Sequence, residues 1–312
     1  MESSVLNNLS FTDLFVCLNN GEACYQVSDV QTRRTHLIDL PVTYKDDLSS
    51  LLSAYIAINA DGADCNIKFR DLSLRAIQLP PVEGLSWVVF QPIAKQPRQL
   101  DTLGFTPAVV KALQGLGQRE GLVLICGGIS QGKTTTAAAL LNDYLHRYGG
   151  VACTLEDPVE YKFSGRQGGA GLCYQFDIQK KQDWELMLAR SLQVHARYLL
   201  VSELRAPEIA NQVLRSATSG QLVITNIHAG TLEEGIEGLL HFAERTVGDH
   251  APILLASALT AVVHQHMTSF GFQARMLIVE QGSHGDSCRT FIRERRVGQI
   301  TSIVDQQMAR LK

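Results

Sequence analysis

The sequence predicts an α/β protein in two parts, a mostly parallel sheet covered on both faces and a smaller mixed segment ahead of it. From about Leu100 onward, short apolar runs alternate with helix-period stretches, the rhythm of strands buried on both faces by helices. A glycine-rich turn stands between one such strand and the helix that follows it. Residues 94–103, polar and bearing Pro97, separate the two rhythms, which places an N-terminal domain at 1–97 and a larger one at 98–312.

In the first part, Glu22–Val30 and His36–Val42 read as strands, Tyr44–Ile58 as a helix and Asn59–Asp64 as a turn. Asn66–Leu79 partly alternates through Ile67, Phe69, Leu72, Leu74 and Ile77, as one strand would, and Trp87–Ile93 is a further apolar run. In the second part, strands are expected at Leu122–Cys126, Val151–Leu155, Tyr198–Val201 and Leu222–Ile227. Between and after them, helices are expected through Tyr148 and at Asp183–Leu192, Pro207–Thr218, Leu232–Arg245 and Pro252–Gln265.

Composition narrows the class. Of the 312 residues, 45% are hydrophobic and 19% charged, the balance of a soluble globular protein with a well-buried core. No run of about 18 apolar residues offers a membrane span, and the opening MESSVLNNLSFTDLF has no basic start or apolar stretch of a signal peptide. A cytoplasmic protein with no membrane insertion is expected. The net charge of −3 disfavours nucleic acid as a partner, because neutralising phosphates supplies most of such affinity. Seven cysteines without a CxxC pair argue against a disulfide framework or a zinc ribbon, so reduced structural thiols are expected.

The strongest motif is Gly127-Gly128-Ile129-Ser130-Gln131-Gly132-Lys133-Thr134, a complete G-x-x-x-x-G-K-[ST] between a strand and a helix. Its glycines let backbone N–H groups curl around phosphates at the positive end of a helix. Gly127, Gly128, Ser130, Gln131, Gly132, Lys133, Thr134 and Thr135 are therefore the expected nucleotide-binding residues. Lys133 reaches the β and γ phosphates, and Thr134 ligates Mg²⁺.

Further polar groups follow other strands. Thr154-Leu155-Glu156-Asp157-Pro158-Val159-Glu160-Tyr161 puts three carboxylates just past a strand's C-terminal end, where open α/β sheets bind ligands. Tyr198–Val201 leads into Ser202-Glu203, the Walker B arrangement, whose acid holds the Mg²⁺ shell or orients the attacking water. Leu222–Ile227 leads into His228 in the same way, a position suited to sensing a γ-phosphate.

Taken in order, GGISQGKTT, TLEDPVEY, LLVSELR and SGQLVITNIHAGT resemble the Walker A loop, aspartate box, atypical Walker B and histidine box of the PilT/GspE secretion ATPases. The resemblance covers roughly residues 60–303. It extends to Gln99–Phe105, similar to the linker after the family's PAS-like N-terminal domain, and to Arg289–Glu294 with Gln299–Ile303, similar to the C-terminal segment of retraction ATPases. It implies a RecA-like core that binds ATP and Mg²⁺, with Thr134 and Glu203 on the metal. Glu160, Glu203, His228 and Lys133 are then catalytic, with either glutamate open as the general base. It further implies a homo-hexameric ring that powers type IV pilus dynamics of the retraction type. Such a ring works beside an inner-membrane platform protein, peripherally associated with that membrane.

The chain also departs from the family pattern. Gln91 stands where an Arg is typical, Tyr174-Gln175-Phe176-Asp177-Ile178 replaces Asn-Gln-Arg-Glu-Val, and His195-Ala196-Arg197 replaces Asp-Pro-Asp. Arg70, Arg75 and Arg205 remain as candidate arginine fingers. Absence of the CxxC…CxxC element of extension ATPases favours the retraction branch, with a DotB-like secretion or conjugation ATPase as the alternative. A RecA-type nucleic-acid motor and a non-hydrolysing ATP-binding module are weaker readings: the first needs DNA-stimulated hydrolysis, and the second leaves the joint presence of Lys133, Thr134, Glu160, Glu203 and His228 unexplained.

Overall fold

A computed structural model describes residues 6–28, 35–58, 65–82, 84–94, 96–178, 183–204, 206–268, 271–280 and 286–311. The chain divides into two compact units, Met1–Lys95 and Gln96–Lys312.

The first unit contains β1 (Asp13–Cys17), β2 (Ala23–Ser28), β3 (Thr35–Asp39), α1 (Lys45–Ile58), β4 (Cys65–Phe69), β5 (Leu72–Val82) and β6 (Leu85–Pro92). The strands form one antiparallel sheet in the order β3-β2-β1-β6-β5-β4. Leu48, Leu51 and Tyr55 of α1 are buried in one cluster with Leu14, Val16, Ile67, Leu74, Val88 and Phe90 of the sheet. Asn66–Leu79 is not one strand. Phe69 pairs with Leu72 across a two-residue turn in which Arg70 is left-handed, at φ 52°. The three-residue step between those two apolar positions breaks period-2 alternation, and that break is the turn. β1 carried no strand signal strong enough to be read from sequence. The expected turn at Asn59–Asp64 lies outside the described residues.

The second unit begins with α2 (Pro107–Gly115), β7 (Gly121–Gly127), α3 (Lys133–Tyr148), β8 (Gly150–Glu156), β9 (Gly165–Gln167) and β10 (Gly171–Asp177). There follow α4 (Asp183–Gln193), β11 (Tyr198–Val201), α5 (Pro207–Thr218), β12 (Leu222–His228) and α6 (Leu232–Val247). The unit ends with α7 (Ala251–Ala258), β13 (Leu259–Thr268), β14 (Gly271–Ile278), α8 (Ser287–Arg293) and α9 (Thr301–Arg310). The sheet order is β14-β13-β7-β12-β11-β8-β10-β9, parallel from β13 to β10 with an antiparallel strand at each edge. The expected α/β class holds, with α2 and α3 packed on one face of the sheet and α4 to α8 on the other.

One expected helix is corrected. Pro252–Gln265 is the short helix α7 followed by the strand β13, which lies between β7 and β14. Leu259, Ala261, Val262 and Val263 are fully buried in an interior strand, and an apolar run buried on both faces has no periodicity to separate helix from strand. The β-branched pair Val262-Val263 was the available signal.

Arg289 of α8 is anchored rather than free. Its guanidinium donates to the carbonyls of Ala256 and Ser257, orphan acceptors at the C-terminal end of α7, and to that of Glu280. Cys288 and Ile292 are buried beside it, so α8 is docked on the second unit.

α6 approaches the sheet closely because of a glycine. A Cβ on Gly235 would stand 2.5 Å from Sγ of the buried Cys126, at the end of β7. Alanine favours a helix over glycine by up to about 1 kcal/mol, but overpacking of this kind costs about 1–3 kcal/mol. Gly235→Ala is therefore expected to destabilise the protein in denaturant titrations, and Cys126→Ala in the same chain should recover much of the loss.

Candidate active site

The parallel register of β12 on β7 sets His228 opposite Gly127, the last residue of the strand before the glycine-rich loop. The loop then turns through Ser130 (φ 57°) and Gly132 (φ 78°), and α3 begins at Lys133. Its curvature leaves no room above the strand: a Cβ on Gly127 would stand 2.7 Å from the Gln265 carbonyl oxygen. Gln131 ties the loop to β13, its carbonyl accepting from Gln265 Nε2 and its side-chain Oε1 accepting from the Met267 N–H. The sequence does not show this tie, because the expected helix Pro252–Gln265 takes in Gln265 and hides the strand that carries it on to Met267.

Lys133 is buried, and its ammonium donates to the carbonyls of Gly127 (3.0 Å) and Gly128 (2.7 Å) and to His228 Nδ1 (3.0 Å). His228 Nε2 lies 2.6 Å from Glu203 Oε1. An ammonium has hydrogens to give and no lone pair, so His228 Nδ1 accepts from Lys133, and its Nε2–H donates to Glu203 Oε1. Burial lowers the Lys133 pKa, opposed by the charges of Glu203, Cys126 and Glu160. Lys133, His228 and Glu203, drawn from three elements, thus form one chain of polar contacts. Gly128, Ser130 and Glu160 are exposed, and Thr134 is half-buried in the first turn of α3.

Thr135 does not stand alone: its hydroxyl is 2.8 Å from the Tyr161 hydroxyl, linking α3 to the segment after β8. Glu156, at the end of β8, is 2% exposed. It accepts from Thr154 Oγ1 (2.6 Å), from Gln175 Nε2 (3.0 Å) and from the Glu160 backbone N–H. Gln175 was read only as part of a departure in β10. Its alternation with the buried Cys173 was the signal that it faces α3. Of the candidate arginines, Arg70 pairs with the buried Asp47 within the first unit and lies over Phe69. Arg75 sits on β5, paired across the sheet with Asn66 and Gln91, and Arg205 lies outside the described residues.

Residues 61–308 match the type II/IV secretion system protein family. The chain belongs to that family. Its relatives include the type II secretion system protein E of Klebsiella pneumoniae, 31% identical over 64% of this chain. That match spans 38% of the Klebsiella protein's own length. The twitching motility protein of Neisseria gonorrhoeae is 23% identical over 93% of this chain and 71% of its own. Among solved structures, the pilus retraction motor PilT with bound ADP superposes with a TM-score of 0.74 at 19% identity, over 96% of this chain and 87% of that one. The Legionella pneumophila ATPase DotB gives 0.69 at 18%, over 96% and 84%. The fold of this PilT/GspE-family member is thus that of the RecA-like secretion ATPases.

The buried Glu156 makes folding pH-dependent. Desolvation lifts its carboxyl from the usual 4.5 to about 7, against the hydrogen bonds from Thr154, Gln175 and the Glu160 N–H. Its folded pKa is raised, so the native state holds a proton that the unfolded chain releases, and this stability is present below 4.5 and lost as pH rises through 7. The contribution is on the order of 3 kcal/mol. Melting temperatures taken from pH 5 to 8 are expected to decline in the wild type, with a shallower decline in Glu156→Gln.

Proposed function

We propose that this chain is an ATP-hydrolysing motor subunit of a type IV pilus or type II/IV secretion machine. The single observation that carries the reading is the Lys133–His228–Glu203 chain at the mouth of the glycine-rich loop. A P-loop binds phosphate in proteins of many functions, but a carboxylate and an imidazole lined up behind its lysine supply what hydrolysis adds. Lys133 holds the β and γ phosphates, His228 reads the γ-phosphate, and Glu203 and Glu160 are the carboxylates that order the attacking water.

The residues fit Mg²⁺. Thr134, Glu203 and Glu160 offer hard oxygen donors, and among the described residues no group of three or more His, Cys, Asp or Glu forms a dedicated cage. Magnesium in nucleotide sites is held by one or two protein oxygens and by phosphate. The bound ion would neutralise charge on the phosphate oxygens.

The working form is a homo-hexameric ring of the retraction type that acts on an inner-membrane platform protein. The match to a twitching motility protein along nearly the whole chain supports this choice within the family. The 1–97 segment serves as the PAS-like domain of that ring, and charge stabilisation comes from an arginine of the neighbouring subunit.

Lys133→Ala is expected to abolish ATP hydrolysis, and Glu203→Gln to slow turnover by about a hundredfold or more while ATP still binds. Phosphate release and titration with a fluorescent ATP analogue measure the two effects, and wild-type hydrolysis by Lys133→Ala would overturn the site. A ring also makes activity depend on assembly. Specific activity should rise with protein concentration, in step with the hexamer seen by light scattering, and a constant value down into the monomeric range would remove the ring from the proposal.

A further inference from the structure

Residues 157–164 join β8 to β9 and carry Glu160, yet they contain no helix and only a one-residue bridge, at Tyr161. A segment without its own hydrogen-bond ladder must be fixed by other groups. Here side chains of the sheet do so. The Asp157 N–H donates to Ser202 Oγ (3.3 Å), and the Val159 N–H to Asp177 Oδ1 (3.4 Å). The inner contacts converge on two residues. Glu156 accepts from the Glu160 N–H, while Gln175 donates to the Tyr161 carbonyl (2.8 Å) and accepts from the Phe163 N–H (2.8 Å).

Glu156 and Gln175 also hold each other, at 3.0 Å, on adjacent parallel strands where Gln175 stands opposite Thr154. Gln175 spends both amide hydrogens and its oxygen in this arrangement. An amide alone combines two donors and an acceptor in that shape, so a carboxylate of equal size cannot replace it. The segment so held reaches the phosphate loop twice. The charge of Glu160 is felt at Lys133, and the Tyr161 hydroxyl meets Thr135.

We propose that Glu156 and Gln175 are a positioning pair that fixes the backbone of residues 160–163 and so holds the Glu160 carboxylate beside the phosphate loop. Neither is assigned a contact with nucleotide. Glu156 is too deeply buried to reach a phosphate or a water in line with one, and its oxygens are taken by three donors. The pair rests on the ATPase reading of the site, since it acts on the rate through Glu160.

The test uses the full chain and four proteins: wild type, Gln175→Ala, the isosteric Gln175→Glu, and Gln175→Ala combined with Glu160→Gln. Turnover, KM for ATP and affinity for a fluorescent ATP analogue are measured for each, with melting temperature as a check on folding. Both single variants are expected to lose about tenfold or more in kcat, because small displacements of a catalytic group are costly. Their affinity for the analogue should change by less than about threefold. The decisive arm is the double variant. If Gln175 works through Glu160, removing it from Glu160→Gln slows turnover no further, whereas a general loss of structure would add to the Glu160→Gln defect. Undiminished kcat in Gln175→Glu, additive losses, or a fall in nucleotide affinity equal to the fall in kcat would each overturn the proposal. A wild type without hydrolysis, or a Lys133→Ala protein as active as wild type, would instead overturn the ATPase reading beneath it.

Discussion

The in-register parallel pairing of β7, β12, β11 and β8 is the constraint on which the rest of the second unit depends. Parallel strands end together at one edge of a sheet, and whatever follows them is brought side by side. His228 faces Gly127 across that pairing, and Val201 faces both Thr225 and Leu155. Residues 24 to 101 positions apart in the chain therefore meet without any of them having to seek the others. The side chains of these strands are mostly apolar on both faces, with Thr154 of β8 and Thr225 and Asn226 of β12 as buried exceptions. The polar groups gather toward the C-terminal ends of the strands, and that is where the site begins.

Electrostatics then separates the carboxylates by depth. Glu203 is 18% exposed and meets a histidine proton directly, so its charge is partnered at the mouth of the site. Glu156, on the next strand, is buried and accepts three neutral donors, none of which brings a positive charge. Desolvation wins there, and its carboxyl rises toward neutrality. Two acidic residues at equivalent ends of neighbouring strands thus differ in kind. The first is suited to metal or water, and the second to holding backbone.

Much of this was legible in the sequence, and the reasons differ by element. Helices with a polar face, such as α5 and α6, show their period, and the glycine-rich loop declares itself because few other sequences can fold that tightly around phosphate. The failures share a cause. β13 was read as helix because an interior strand has no polar face to reveal its period, and β4 with β5 as one strand because a two-residue turn without Gly or Asn leaves only a slip in alternation. With β13 misplaced, the Gln131–Gln265 tie could not be seen. Arg289 is legible as a charge in a C-terminal segment that resembles that of retraction ATPases but not as a cap, because the carbonyls it meets belong to a helix whose end the sequence does not reveal.

Glu156 and Gln175 illustrate a subtler limit. In Glu156-Asp157-Pro158-Val159-Glu160 the resemblance singles out Glu160 alone, and it is burial that sets Glu156 apart from the other two acids. Burial in turn follows from alternation along β8: Ala152, Thr154 and Glu156 share the face that α3 covers, and the same rule turns Cys173 and Gln175 of β10 toward it. A buried carboxyl on such a face must find donors from the adjacent strand at the same level, and the register supplies Gln175. The pattern is therefore readable once strand order is known, since it is β10 lying beside β8, and nothing in the local sequence, that makes these two residues partners. Sequence motifs point to the groups proposed to bind phosphate; topology points to the groups proposed to hold them in place.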